Sequence, residues 1–191
     1  MTTDEDKLRA LRREIDAIDD SLHDLIIERT RVVERVREAK KGDKIKIRPA
    51  REAEILYRLM ARHSGAFPKR ELSRMWREMI VATLRFEGPF SVSVFVSEDD
   101  VGYGDLARDQ YGSFTPMTRH VSSRAVIEAV GSGEATVGIL PMPRPDDSEH
   151  WWRLLLTEAP DSPRIIARLP FIAGDNSPGA KLDALVVGIV G

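Results

Sequence analysis

The 191-residue chain has no cysteine, so it has neither a disulfide framework nor a thiolate to act as nucleophile or metal ligand. Four scattered histidines make no metal-ligand spacing, and no metal or other cofactor is expected. Aromatic residues are 6% of the chain and form no stacking platform for a nucleic-acid strand. No run of about 18 apolar residues occurs, which argues against a membrane-spanning helix. The opening stretch MTTDEDKLRALRRE is acidic and then helical, without the apolar core of a secretory signal, so a cytoplasmic location is expected. Proline and glycine are missing from Asp4 to Lys41, and that absence permits one long helix.

What is present is the composition of an ordinary globular protein, 42% hydrophobic and 31% charged. The net charge of -2 hides an asymmetry. Residues 1–87 hold 21 basic against 17 acidic side chains, and residues 88–191 hold 8 against 14. A basic half followed by an acidic half predicts two units, the first suited to an anionic ligand.

Apolar residues recur at Leu8, Leu11, Ile15, Ile18, Leu22, Leu25, Val32 or Val33 and Val36, in steps of three and four. This predicts a helix of about 37 residues with a narrow apolar seam, which calls for partner helices from a second subunit. After KKGDKIKI, Pro49 predicts the start of a second helix, with Ala53, Ile55, Leu56, Leu59 and Met60 as its stripe and Gly65 closing it. A third helix is predicted from Pro68 to about Phe86, with Leu72, Met75, Trp76, Met79 and Ile80 facing inward. Past Pro89 the texture changes to FSVSVFV, GYGDLARDQYG, SSRAVIEAVGSG and EATVGILP, an alternation of strands and short helices that predicts an α/β unit with partly parallel pairing. RIIARLPFIAG and ALVVGIVG read as two further strands. The last of these runs to the final residue, as expected of a unit whose later elements are missing.

Polar residues interrupt the stripes. Arg29 occupies the seam of the first helix where an apolar residue is due, and an unpaired buried guanidinium is costly. Lys40, eleven residues on, returns to within about 20° of the same face. Glu52 falls on the inward face of the second helix, and the third-helix stripe continues to Thr83 and Glu87. An interhelical ion pair such as Arg29 with Glu52 is one explanation, and a solvated helix end is another for Lys40 and Glu87. One carboxylate does not obviously satisfy both cations, so an anion held between the helices is the sharper expectation.

The pattern LRREIDAIDDSLHDLIIERTRVVERVREAKK, then IRPAREAEILYRL, then RMWREMIVATLRFE, resembles the all-helical chorismate mutases, particularly the form fused to prephenate dehydratase. The resemblance covers residues 6–87 and implies a three-helix domain over residues 1–88 in an intertwined homodimer, with chorismate as substrate and prephenate as product. It implies that Arg12 reaches into the partner subunit's site, that Arg29 clamps a carboxylate, and that Lys40 and Glu87 donate to the ether oxygen. It further implies that Arg51, Glu52 and Thr83 bind substrate, Glu52 through the ring hydroxyl. Arg48 stands where the family often has an aspartate, and Glu87 and Thr83 stand for a glutamine and a serine.

In residues 89–191, SSRAVIEAVGSGEATVGILPMP resembles a segment of prephenate dehydratases and implies a periplasmic-binding-like α/β domain. The dehydratase motifs are poor: the Gly-Pro-x-Gly-Thr loop is here SEDDVGYGD, Glu-Asn-Ser is PRPDD, and Thr-Arg-Phe is ARLPF. Dehydration is therefore not expected, and Arg124 and Arg168 are expected to be solvated. A bifunctional mutase-dehydratase and a non-catalytic dimerisation protein are the alternatives. A nucleic-acid module built on RTRVVERVREAKKGDKIKIR is disfavoured, because Glu28, Glu34 and Glu38 interleave its basic residues.

Overall fold

The structure, a computed structural model, describes residues 3–39, 47–97, 102–145, 147, 150–157, 159, 162–171 and 182–189, with the backbone alone at Glu87. The chain divides into two compact units, Met1–Gly42 and Asp43–Gly191.

The first unit is helix α1, Asp4–Ala39. Thr3 opens it: its hydroxyl accepts from the Asp6 amide at 3.2 Å, while the Asp6 carboxylate accepts from the Thr3 amide at 3.2 Å. This reciprocal cap satisfies two donors that the first turn leaves without helical partners. The hydrogen bonds from Thr3 hold the Asp6 carboxyl below its ordinary value. No α1 residue is buried, and the apolar seam from Leu8 to Val36 lies open, with Leu25 at 60% exposure.

The second unit begins with α2, Pro49–Arg62, and α3, Lys69–Leu84. Proline occupies the first turn of α2, where its missing N–H costs nothing. Helix α2 stops at Arg62 with His63 extended, and the His63 ring meets the Phe67 carbonyl at 2.6 Å. Gly65 does not take the left-handed conformation expected of a closing glycine. A 3-10 turn, Arg85–Glu87, extends α3 to Gly88, whose φ of 128° turns the chain into the sheet.

The sheet contains β1 (Val92–Phe95), β2 (Met117–His120), β3 (Val137–Pro141), β4 (Arg164–Leu169) and β5 (Ala184–Gly188), in the order β2-β1-β3-β5-β4. β1 pairs in parallel with β2 and β3, and β5 is antiparallel to both β3 and β4. Helices α4 (Tyr103–Tyr111) and α5 (Ser123–Gly131) supply the crossovers. Ser122 caps α5 by accepting from the Ala125 amide at 3.3 Å. HWWRLLL contributes a short 3-10 helix, Trp151–Leu155.

Two apolar clusters hold this unit. One joins Phe90, Val92, Val94, Tyr103, Leu106, Ala107 and Tyr111 with strands β3 and β5. The other joins Val126, Ile127 and Val130 of α5 with Leu140, Trp151 and Val187. Gly138 lets α5 approach β3: a Cβ there would meet Val126 at 2.6 Å and Val187 at 2.9 Å.

The structure corrects the expected inward face of α3. Of Leu72, Met75, Trp76, Met79 and Ile80, only Ile80 is buried, and Met75 is 51% exposed. The buried face is instead Ser73, Arg77, Ile80 and Val81, because that side of α3 packs against α4.

Candidate active site

Arg29 is half-buried on α1. Loss of hydration pulls its pKa down. Arg12 is exposed on the same helix. The two are 17 residues apart, about 25 Å along the axis, too far for both guanidinium groups to clamp one ring-sized dicarboxylate from a single copy. Lys40 lies outside the described residues, as does the side chain of Glu87.

In the second unit, Arg48 precedes α2, is exposed, and accepts through its carbonyl from the amides of Arg51 and Glu52. Arg51 is exposed and donates to Glu54 at 2.9 Å. Glu52 points the other way and is 8% exposed. Burial pushes its carboxyl up to about 7, against the opposing pull of the Arg77 guanidinium. Thr83 is half-buried and donates to the carbonyls of Ile80 at 2.8 Å and Met79 at 3.1 Å, within its own helix.

Around Glu52 the structure assembles groups that the apolar stripes concealed. Arg77 is 3% exposed. It donates to Ser73 Oγ at 2.8 Å, to Gln110 Oε1 at 3.3 Å and to the Asp109 carbonyl at 3.4 Å. Tyr111, fully enclosed on α4, has its phenol pKa raised by burial and then by the Glu52 charge. Arg74 pairs with Asp109 at 2.9 Å on the rim of this cluster. The sequence does carry its signal, since Ser73, Arg77 and Val81 repeat at steps of four. The more apolar neighbouring stripe obscured it.

A buried carboxyl next to a cation can hold a hydroxyl, and a desolvated arginine on an open apolar seam can take a carboxylate. Arg124 is exposed on α5, and Arg168 is exposed in an ion pair with Asp183 at 2.8 Å. No described helix is long and apolar enough to cross a membrane.

Residues 11–88 match the family described as chorismate mutase type II. The chain is 29% identical over 145 residues to a bifunctional chorismate mutase/prephenate dehydratase of Pseudomonas aeruginosa, covering 73% of this chain and 40% of that protein. Proteins of the same description from Stutzerimonas stutzeri and Aquifex aeolicus are each 28% identical, covering 72% of this chain and 39% of theirs. The chain spans about two fifths of the length of these curated relatives. Its C-terminal part is an α/β sheet domain, and its N-terminal helical part carries the chorismate mutase type II match.

Proposed function

We propose that the protein is a chorismate mutase that rearranges chorismate to prephenate in a homodimer, with residues 1–88 as the catalytic domain and residues 89–191 as a prephenate dehydratase-like, periplasmic-binding-like domain. The observation that carries this is Arg29, a desolvated cation on an open apolar seam, at a position within the chorismate mutase type II match.

The open seam favours a second copy as the partner. A lone helix with so narrow a stripe is marginal, and covering eight half-exposed aliphatic side chains contributes on the order of 10 kcal/mol. A second copy also brings an Arg12 within reach of the first copy's Arg29, which the length of α1 denies to a single chain.

The reaction is an intramolecular [3,3] rearrangement with no proton transfer and no covalent intermediate. It asks the protein to hold the enolpyruvyl group over the ring and to aim donors at the ether oxygen as negative charge develops there. Arg29 and the partner's Arg12 clamp the two carboxylates, with Arg51 adding a further cation and Arg48 a nearby charge. Glu52 accepts from the ring hydroxyl, Lys40 donates to the ether oxygen, and Thr83 offers a hydroxyl. Glu87 donates to the same oxygen and can do so only when protonated. No cofactor takes part, and the compartment is the cytoplasm.

Dehydration by the C-terminal domain is the second activity to consider, because the similarity to bifunctional relatives covers more of the chain than residues 11–88. The motif substitutions in SEDDVGYGD, PRPDD and ARLPF count against it. The test is the loss of chorismate absorbance with purified protein, wild type beside Arg29→Ala, followed by acid treatment to reveal prephenate. Catalysed loss that Arg29→Ala lowers by about a hundredfold or more supports the assignment. Loss no faster than the spontaneous reaction refutes it.

A further inference from the structure

Two helices that pack against each other ordinarily meet through apolar stripes. α3 meets α4 through Ser73 and Arg77 on one side and Gln110 on the other, all at or below 4% exposure. Leucine would dock the helices at less cost than a buried guanidinium, which must be fully paired to be tolerated. What arginine adds at this point is a fixed charge. Its fork is held by Ser73 Oγ within α3, and by Gln110 Oε1 and the Asp109 carbonyl across the interface. Its charge acts on the buried carboxyl of Glu52 at the start of α2, and Glu52 in turn acts on Tyr111 of α4. The three helices therefore share one buried polar cluster, anchored on an element that lies outside the chorismate mutase type II match.

We propose that Arg77 is a positioning residue for Glu52 and is itself held by Gln110 and the Asp109 carbonyl of α4, so that the sheet-bearing part of the chain orients a carboxylate used by the helical site. The significance for catalysis rests on the mutase function, whereas the coupling of Glu52 to α4 does not. Among the described residues, the charge that acts on Glu52 is that of Arg77 on α3, and the Glu52 charge acts in turn on the Tyr111 phenol of α4. A guanidinium at this place favours the ionised carboxylate, which is the stronger acceptor for a ring hydroxyl.

The test is a titration of the Glu52 carboxyl by side-chain carbon NMR in the full chain, beside the pH profile of chorismate turnover. It compares wild type, Arg77→Met, Arg77→Lys and Gln110→Leu. Arg77→Met is expected to move the Glu52 midpoint upward by about one pH unit and to carry the acid limb of kcat/KM with it. Arg77→Lys keeps the charge but loses the planar fork, so its midpoint falls between those of wild type and Arg77→Met. Gln110→Leu removes only the acceptor on α4 and moves the midpoint in the same direction by less. A midpoint that stays in place in Arg77→Met overturns the proposal. Should that variant not fold, unchanged midpoints in both Arg77→Lys and Gln110→Leu overturn it equally. A shift in Arg77→Met without one in Gln110→Leu removes the part assigned to α4. An inactive wild type whose Glu52 still follows Arg77 removes the mutase function and leaves the coupling standing.

Discussion

Glu52 and Arg29 are both polar residues that interrupt the apolar stripes of helices, and their surroundings set them apart. Glu52 is enclosed, and its carboxyl is raised from an ordinary 4.5 to about 7 by burial. Between those two pH values the folded chain holds a proton that the unfolded chain has lost. The stability this group contributes is therefore full below about pH 4.5 and is lost as the pH rises to about 7. Glu52→Gln is expected to abolish that slope and to stabilise the chain at pH 8 by about 3 kcal/mol, read from urea unfolding at pH 5 and pH 8. The same substitution weakens the hold on the ring hydroxyl, so stability and turnover should move in opposite directions. A second pH effect belongs to Glu87. If it donates to the ether oxygen as an acid, turnover declines with rising pH beyond the acid limb set by Glu52, and Glu87→Gln flattens that decline. A wild-type rate that stays level beyond that limb contradicts that role.

At the scale of elements, close approach of backbones sets the tightest constraint. α5 lies on β3 at Gly138, where Val126, Val130 and Val187 leave no room for a methyl group. Gly138→Ala is expected to cost about 1–3 kcal/mol, measured as a lower urea midpoint with an unchanged fold. Most elements were legible in the sequence because their periods are strong. The proline-free stretch after Asp4, Pro49 at the head of α2, the serine cap of α5 and the apolar runs of β1, β3 and β5 each carry a local signal. β2 escaped notice because MTRH is short, polar and partly exposed, and it is a strand only because it pairs with β1. The orientation of α3 escaped for a different reason. Periodicity finds the most apolar face, but a helix with two usable faces is turned by its neighbours. Here α4 takes the face bearing Ser73 and Arg77, and on the more apolar face Leu72, Trp76 and Met79 are half-buried and Met75 exposed. The site followed the same rule: Glu52 stood out as a polar residue in a stripe, while its partner Arg77 lay on a face that the stripe had hidden.

At the scale of the whole molecule, the open seam of α1 and the separation of about 25 Å between Arg12 and Arg29 along it lead to the same expectation, a site assembled from two copies. Ile18→Asp places an unpaired charge in the middle of the seam and is expected to shift the chain from dimer to monomer in sedimentation, with turnover lost alongside. The most direct test of the shared site is complementation. Arg12→Ala and Arg29→Ala are each expected to be nearly inactive on chorismate, because each removes one clamp from both sites of its dimer. When the two variants are mixed in equal amounts and allowed to exchange subunits, half of the dimers are mixed. Each mixed dimer holds one site with both arginines intact, so about a quarter of wild-type turnover should return. A mixture as inactive as its parts, beside an active wild type, would contradict a site built from two copies.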